Sequence, residues 1–248
     1  MSTLRSIHDE VEQCGFAIRD AVLSEFEVQE LLDAMEQVNN AGSVRERGGI
    51  FAVRNLLDVS PAVQRLARSP VIRELVSPLL GSECFPVRGI LFDKIPGANW
   101  KVPWHQDVTI AVQDRIEIDG FGPWSIKAAV LHVQPPAMVL ENMLSVRLHL
   151  DACDEGNGAL RVIPGSHQHG RIPEDKIPSV RRDVPEKVCA VGVGGALLMR
   201  PLLLHAFSAS RAPEHRRVIH LDFAAVQLPL GMNWFSERES PVPVIFHD

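Results

Sequence analysis

The sequence predicts an α+β chain, mainly β, in which a jelly-roll sandwich of antiparallel strands follows a set of helices that flank one of its sheets. Helical signatures are concentrated in the first 82 residues, and short apolar or alternating segments dominate from Phe85 onward. The 17 glycines and 18 prolines are scattered between these segments, as expected for many strands joined by tight turns. We therefore expect a single domain over 1–248, with a helical part over about 1–82 and a β core over about 83–248.

Three helices are predicted in the N-terminal part. Ser24 begins a capping box, and apolar residues then recur at helical spacing, which predicts a helix over about 25–39. Pro61 and Pro70 each follow a serine that can cap a helix, and proline is favoured at the first helical position. Gly81 is expected to end the second of these short helices.

The β core is predicted as six segments bounded by Gly, Pro, Asn and Asp. They cover residues 85–94, 144–151, 159–163, 195–200, 216–226 and 243–247. A connection over about 108–143 is too long for an ordinary loop and carries the run Gly120-Phe121-Gly122-Pro123-Trp124. We expect this connection to form a lid over a functional site.

Charge and composition exclude several classes of partner. The formal net charge is −6 and no stretch of Lys and Arg is dense enough to follow a phosphate backbone, so no nucleic-acid partner is expected. The most apolar stretch, 194–207, is interrupted by Arg200 and His205, and the N-terminus has no apolar signal-like run. The four cysteines are far apart and form no CxxC pair, as free thiols in a reducing compartment would. The protein is therefore predicted to be cytoplasmic, without a membrane span, and to act on a small molecule.

His105 and Asp107 form the first half of a predicted metal site. Residues two apart on an extended segment point the same way, so this imidazole and this carboxylate can share one ion. Such a pair is common on protein surfaces, and the interpretation needs a further ligand. His205, at the end of an apolar run, is the candidate, although a lone histidine in such a run is more often a hydrogen-bonded core residue.

Arg216 strengthens the case for His205. It lies eleven residues later at the start of an alternating strand, and a hairpin between the two would place a metal ligand and a permanent cation on neighbouring strands. Two histidines and one carboxylate leave three positions of an Fe(II) ion open, as non-haem iron oxygenases need. Catalytic zinc is the rival, because zinc also accepts His and Asp ligands.

The chain resembles the phytanoyl-CoA dioxygenase family from about Gly15 to Phe223. The motifs that carry the resemblance are Lys94-Ile95-Pro96-Gly97, then Trp104-His105-Gln106-Asp107, then Asn157-Gly158-Ala159-Leu160-Arg161-Val162-Ile163-Pro164-Gly165-Ser166-His167, and finally His205 with Arg216. The resemblance implies a double-stranded β-helix, also called cupin-like, and Fe(II) held by His105, Asp107 and His205. It also implies 2-oxoglutarate and O₂ as cosubstrates, with succinate and CO₂ released.

The resemblance also assigns the cosubstrate contacts. Arg216 would bind the distal carboxylate of 2-oxoglutarate, for which an always charged bidentate donor is suited. Lys94 would make a further contact. The family often has a small polar pair after its distal histidine, whereas this chain continues Ala206-Phe207-Ser208, which makes Ser208 the candidate for a hydroxyl contact.

Candidate substrate contacts come from the predicted lid and from one further departure. Trp124 offers apolar contact, and Lys127, together with Arg147, offers attraction to an anionic group. Arg147 stands where the family commonly has tryptophan, and a one-residue shift in register decides whether it faces the barrel or solvent. The alternative is that Trp124 anchors the lid to the core and that Lys127 is solvated.

The predicted activity is hydroxylation of a small molecule by an Fe(II)- and 2-oxoglutarate-dependent oxygenase. The alternatives are desaturation or cyclisation by the same chemistry, a zinc hydrolase, and a non-enzymatic metal-binding jelly roll that binds a small ligand. Arg216 favours the oxygenase, because a storage protein has no evident need for a cosubstrate cation beside its metal.

Overall fold

The computed structural model describes residues 6–40, 45–47, 50–94, 101–127, 129–208 and 215–237. Within this part of the chain the helices are α1 (Ile7–Cys14), α2 (Glu25–Asn40), α3 (Leu56–Val59), α4 (Pro61–Ala67), α5 (Pro70–Leu80), α6 (Ala137–Glu141) and α7 (Ile177–Asp183). The strands are β1 (Phe16–Arg19), β2 (Arg45–Arg47), β3 (Ile50–Arg54), β4 (Phe85–Lys94), β5 (Val102–His105), β6 (Ile110–Val112), β7 (Trp124–Lys127), β8 (Val130–Val133), β9 (Met143–His149), β10 (Leu160–Val162), β11 (Lys187–Cys189), β12 (Ala196–Met199), β13 (His205–Phe207) and β14 (Arg216–Ala224). Among these helices, none combines the length and the apolar composition that spanning a bilayer requires.

Two antiparallel sheets form the barrel. The larger sheet has seven strands in the order β1-β12-β9-β14-β4-β3-β2, and the smaller has four in the order β11-β10-β13-β5. Phe16 and Leu197 of the larger sheet share an apolar cluster with Leu160 and Val162 of the smaller one. Strands that are distant in sequence are neighbours in both sheets, which is the strand order of a double-stranded β-helix.

The outer face of the larger sheet carries the main core. Alternate residues of its strands, such as Val146, Leu148 and Leu221, pack with helix residues that include Leu31 and Ile72. Alternation along a strand turns the intervening side chains toward the smaller sheet. The helices therefore cover one face of this sheet and leave the other face for the interior of the barrel.

The predicted helices and five of the six predicted strands are confirmed. The capping box before α2 is reciprocal, because the backbone N–H of Ser24 donates to the Glu27 carboxylate at 2.8 Å and the N–H of Glu27 donates to the Ser24 hydroxyl at 3.3 Å. β4, β9, β10, β12 and β14 match the predicted segments to within two residues at each end. The predicted strand 243–247 lies outside the described residues.

The N-terminal part also contains strands that the sequence patterns did not indicate. β1, β2 and β3 lie within residues 1–82 and form both edges of the larger sheet. β1 pairs with β12 from Phe16 opposite Met199 to Arg19 opposite Ala196. A four-residue strand is too short to show a period, and its partner is almost the whole chain away, so tertiary pairing determines it and local propensity does not.

The segment predicted as a lid, 108–143, is an ordered substructure. It contains a small antiparallel sheet in the order β6-β8-β7, followed by α6. Val112 and Val133 of this sheet are fully buried and pack with Leu140 and Trp234. The segment therefore shares an apolar cluster with β4, β14 and the residues after β14, and its closure over a substrate stays a prediction.

Gly194 provides a test of the packing between the helical layer and the sheet. Its φ is +73°, and a β-carbon added there would lie 2.4 Å from the carbonyl oxygen of Leu23. Gly194→Ala should therefore lower the free energy of unfolding by about 3 kcal/mol, which combines left-handed strain with overpacking. Gly165→Ala is the matched control, because its φ of +78° is left-handed and the atom nearest the added carbon, the carbonyl oxygen of Gln13, lies at an ordinary 3.6 Å, so it should cost only the strain of about 1–2 kcal/mol. Equal losses in urea denaturation would contradict this close contact.

Candidate metal centre

Strands β5 and β13 bring two histidines together on the smaller sheet. In their antiparallel register His105 lies directly opposite His205. Side chains that are opposite each other on paired strands share a face of the sheet. The two imidazole centroids are accordingly 4.2 Å apart.

Asp107 completes the cluster from the segment after β5. Its backbone N–H donates to the carbonyl of Pro201 at 2.9 Å, which holds this segment beside the approach to β13. The Asp107 carboxylate lies 3.9 Å from Nε2 of His105 and 3.7 Å from Nε2 of His205. One ligand atom from each of the three residues lies within 4.8 Å of the others, so the predicted ligands are brought together at a spacing compatible with one metal ion.

Backbone carbonyls orient both imidazoles. Nδ1 of His105 lies 2.8 Å from the carbonyl of Pro103, and Nδ1 of His205 lies 2.8 Å from the carbonyl of Leu203. A carbonyl can only accept, so each Nδ1 carries the proton and each Nε2 presents its lone pair toward Asp107. This is the second contact by which proteins fix the tautomer of a metal-binding histidine.

Gln106 clamps the segment that carries two of the ligands. Its buried amide nitrogen donates to the carbonyls of Gly170 at 2.8 Å and Leu202 at 2.6 Å. Its amide oxygen accepts the backbone N–H of Ile172 at 2.8 Å. The residue between the two ligands is thus a structural anchor that sequence reasoning missed, since a glutamine between two polar residues has no distinctive pattern.

The environment favours the protonation states that a metal requires. Burial lowers the pKa of His205 to about 4, although the charge of Asp107 opposes the shift. Loss of solvation would raise the pKa of Asp107, but attraction to His205, His220 and His105 outweighs it and lowers this pKa below its ordinary value. At neutral pH, His205 is a neutral imidazole and Asp107 is a carboxylate, which are the forms that bind metal ions.

A buried hydrogen-bond chain runs along the inner face of the larger sheet. The Ser145 hydroxyl donates to the Asp222 carboxylate at 2.6 Å, and Nε2 of His220 lies 2.8 Å from the same oxygen. The guanidinium of Arg147 lies 3.0 Å from Nδ1 of His220. A guanidinium can only donate, so Nδ1 of His220 accepts from Arg147 and Nε2 donates to Asp222. This series of hydrogen bonds was not predicted from the sequence. The polar residues at alternate positions of β14 were the pattern that could have indicated it.

Arg147 faces the interior of the barrel. It is 7% exposed and lies opposite His220 in the register of β9 and β14. Burial and the charge of Arg216 lower its pKa to about 10, and the charge of Asp107 opposes the shift. Its Nε has no hydrogen-bond partner among the described residues. Arg147 therefore keeps its positive charge near the metal ligands with a donor to spare.

Arg216 reaches the same interior from β14 of the same, larger sheet. The predicted hairpin with His205 is wrong, because β13 belongs to the smaller sheet and β14 to the larger one, so the chain crosses between sheets after Ser208. The Arg216 guanidinium donates to the carbonyl of Gly158 and lies 5.6 Å from the ring centroid of Phe207, two residues beyond His205. Its buried Nε has no partner within the described part of the chain.

The two other predicted cosubstrate residues lie next to neighbours or contacts of Arg216. Lys94, at the end of β4, is opposite Arg216 in the strand register, and its side chain lies outside the described residues. Ser208 follows Phe207 directly and is half-buried. Their contacts with a cosubstrate stay predictions.

Trp124 and Lys127 occupy different surroundings on β7. Trp124 packs against the apolar cluster around Trp234, and the guanidinium of Arg115 lies 5.4 Å from its ring centroid. This packing favours the alternative in which Trp124 anchors the lid. Lys127 is half-buried and donates to the Thr109 hydroxyl at 3.1 Å, so it is not simply solvated.

A double-stranded β-helix with two histidines and one carboxylate in its interior defines an open metal site of the kind that non-haem iron oxygenases use. The family model described as phytanoyl-CoA dioxygenase (PhyH) matches residues 11–218 of this chain. The chain therefore belongs to the phytanoyl-CoA dioxygenase family.

Individual relatives are more distant. Ectoine dioxygenase of Bordetella bronchiseptica is 28% identical over 179 residues, which cover 66% of this chain and 51% of that protein. The chain thus spans about half the length of this curated relative. The crystal structure of EctD from S. alaskensis with 2-oxoglutarate and 5-hydroxyectoine has a TM-score of 0.68 at 20% identity, over 88% of this chain and 75% of that one. The α-ketoglutarate-dependent carbocyclase SnoK from nogalamycin biosynthesis has a TM-score of 0.70 at 17% identity, over 91% and 85% of the two chains. At these identities the structural likeness shows the fold.

Removal of any ligand should empty the metal centre. We expect His105→Ala, Asp107→Ala and His205→Ala each to lower iron affinity strongly and to abolish turnover, because two remaining ligands form an incomplete site. Iron content after anaerobic loading and gel filtration measures the first effect. His169→Ala, at an exposed histidine outside the cluster, is the control. Wild-type iron content in one of the three variants would remove that residue from the ligand set.

Buried histidines should make the metal-free protein sensitive to mild acid. Burial and the charges of Arg147 and Arg216 lower the pKa of His149 from 6.5 to about 3. Between these values the unfolded chain binds a proton that the folded chain does not, so the free energy of unfolding should fall as pH decreases from about 6.5 toward 3. His149→Leu should flatten this dependence in denaturant titrations at a series of pH values. An identical pH dependence in the variant would contradict the assignment.

Proposed function

We propose that this chain is an Fe(II)- and 2-oxoglutarate-dependent oxygenase that hydroxylates a small-molecule substrate, with release of succinate and CO₂. The observation that carries the proposal is the presence, in one barrel, of a three-ligand metal site and the buried guanidinium of Arg216. Three protein ligands leave the other positions of an octahedral ion for cosubstrate and O₂. A buried cation with an unsatisfied donor is costly until an anion completes it.

The donor set fits iron better than zinc. Structural zinc sites close four positions, usually with cysteine, whereas the cluster found in the described residues has three members and no cysteine. A catalytic zinc site can use the same three side chains. In a zinc hydrolase, however, the buried Arg216 would have no cosubstrate to bind, and activity would need neither O₂ nor 2-oxoglutarate.

Arg216, Lys94 and Ser208 are the proposed cosubstrate residues. The planar guanidinium of Arg216 is suited to bidentate binding of the distal carboxylate of 2-oxoglutarate. Phe207 and the Cys153 thiol, whose Sγ is 3.6 Å from the guanidinium, surround it with weakly polar groups that strengthen such an ion pair. Lys94 lies opposite Arg216 in the register of β4 and β14, and Ser208 follows Phe207, whose ring the Arg216 guanidinium faces. Both positions support the contacts implied by the family motifs.

When bound, iron and 2-oxoglutarate would supply the oxidative decarboxylation and the oxidant that attacks a substrate C–H bond. The residues of the chain hold and orient the partners. The carbonyls of Pro103 and Leu203 fix the two imidazoles, and Gln106 fixes the segment between the ligands. Side chains that are locked in this way by their own hydrogen bonds keep reacting groups in a productive geometry.

Arg147 is proposed to contact the substrate, and Trp124, packed in the apolar cluster around Trp234, is proposed to anchor the lid. Arg147 carries a spare donor next to the metal ligands, which supports a contact with a polar group bound there. Trp124 lines the substructure that we propose as a lid. Neighbours in fold include a carbocyclase and an epimerase, so cyclisation or desaturation by the same chemistry is the alternative outcome to hydroxylation.

The proposed function is tested by a library of small molecules incubated with the protein, Fe(II), ascorbate, 2-oxoglutarate and O₂. Succinate formation that depends on both iron and 2-oxoglutarate would support it. Product mass then separates oxygen addition from hydrogen removal. Substrate conversion without 2-oxoglutarate would support the zinc hydrolase. Tight binding of a small ligand without any succinate would support the non-enzymatic alternative.

Arg216 and its neighbour Arg217 form a matched pair for testing the cosubstrate contact. Arg217 points the other way and donates twice to Asp151, from Nε and from a terminal nitrogen, each at 2.8 Å. Arg216→Ala should raise the 2-oxoglutarate concentration for half-maximal succinate formation by about tenfold or more, since a charge-assisted hydrogen bond contributes about 1.5–3 kcal/mol. Iron content should not change, and Arg217→Ala should leave the 2-oxoglutarate requirement near that of the wild type. Equal effects of the two variants would remove Arg216 from this role.

A further inference from the structure

A cluster of cationic side chains lines a pocket between the larger sheet and the small sheet of β6, β8 and β7. We call it the basic pocket and define it by its three cations, Arg54, Arg88 and Lys127; His132 and the acidic Asp58 also line it. The enclosed space of the pocket is small, about 20 Å³, and its mouth is open. The three permanently cationic residues come from β3, β4 and β7, so the fold brings them together from distant parts of the chain.

The basic pocket and Arg216 lie at opposite ends of the barrel interior. Arg88 faces Asp222 in the register of β4 and β14, and its guanidinium is 3.8 Å from that carboxylate. Asp222 is six residues beyond Arg216 on β14, or about 20 Å along an extended strand. The charge of Asp107 acts on both Arg147 and Lys127, so this metal ligand is within electrostatic reach of the basic pocket.

Two cations of the basic pocket, Lys127 and Arg88, are weakly compensated by the described residues. Lys127 donates to Thr109, and it has no ion pair with any carboxylate of the described residues. Burial and the charges of Arg88 and Arg54 lower the pKa of Lys127. Within the described part of the chain, Arg88 makes a long contact with Asp222, whose Oδ1 is already bonded to Ser145 and His220. Half-buried like charges that repel each other are stabilised when an anion binds between them.

We propose that the basic pocket binds an anionic group of the substrate, such as a carboxylate, phosphate or sulfate, through Lys127 and Arg88. The proposal rests on the proposed function and narrows its substrate class to small anionic molecules. It excludes a nucleic-acid backbone, because the cations converge on a small pocket in a chain with a net charge of −6. With the anion held at this end and the cosubstrate carboxylate at Arg216, the reacting part of the substrate lies near the metal ligands.

The pocket can be tested before the substrate is known, with inorganic sulfate as the probe. We expect isothermal titration of the protein loaded with Fe(II) and 2-oxoglutarate, without O₂, to show sulfate binding that weakens with ionic strength. Lys127→Met removes the charge and keeps most of the side-chain stem. It should weaken sulfate binding about tenfold, the change that 1.4 kcal/mol produces at 25 °C. Lys127→Arg, which keeps the charge, should retain binding.

Lys176→Met is the control for a general loss of positive charge. Lys176 is exposed, and its nearest carboxylate, Asp175, is 3.5 Å away. This variant should bind sulfate like the wild type. Equal sulfate affinities for the wild type and Lys127→Met, or equal losses in the two Met variants, would overturn the basic pocket as an anion site.

A second measurement links the pocket to turnover. A library of carboxylates, phosphate esters and sulfate esters, each paired with its neutral amide or alcohol, should stimulate succinate formation through its anionic members. Lys127→Met should raise the KM of an active anion by about tenfold without changing the 2-oxoglutarate requirement. Stimulation by the neutral members alone would overturn the proposal. Loss of sulfate binding in Lys127→Met without any succinate formation in the wild type would support the pocket and refute the proposed function instead.

Discussion

In the pairing of β5 with β13, His105 lies opposite His205, and the rest of the site depends on this register. A shift of one residue would turn one imidazole to the other face of the sheet and separate the ligands. The register is held from outside the ladder as well, because Gln106 bonds the carbonyl of Leu202 and Asp107 bonds that of Pro201. Two neighbouring residues of the ligand segment are thus tied to the approach to β13. Hydrogen bonds of Gln106 and of the Asp107 backbone therefore help to hold the metal ligands in this geometry.

The larger sheet faces two very different environments. Its outer face is apolar and packs under the helices, whereas its inner face carries Arg147, His220, Asp222 and Arg216 in a buried setting. Burial of charge costs free energy that local partners only partly offset. Asp222 and His220 are satisfied by each other and by their neighbours, but the Nε of each arginine has no hydrogen-bond partner among the described residues. The protein thus keeps an unsatisfied donor at Arg216, where the cosubstrate carboxylate is proposed to bind, and another at Arg147, where a polar group of the substrate is proposed to bind.

The sequence predicted the structure best where a local feature requires one residue type. The capping box at Ser24 and the prolines at 61 and 70 located three helices, because caps and fixed φ angles are local properties. His105, Asp107 and His205 were predicted as a set from chemistry and family motifs together. Local patterns could not find β1, since its partner strand is distant, and they misplaced Arg216 relative to His205, since a change of sheet has no local signal. Arg88 and Asp222 were missed for the same reason, because only the pairing of β4 with β14 makes them neighbours.

The anchoring of Gln106 has a consequence for the life of the protein without iron. Its amide joins Gly170, Leu202 and Ile172 by hydrogen bonds between protein groups, so the fold itself holds the segment between the two ligands. In small zinc domains, by contrast, metal binding supplies the free energy of folding, and a chelator unfolds them. A ligand segment that is held in this way would let an ion leave and return with little reorganisation.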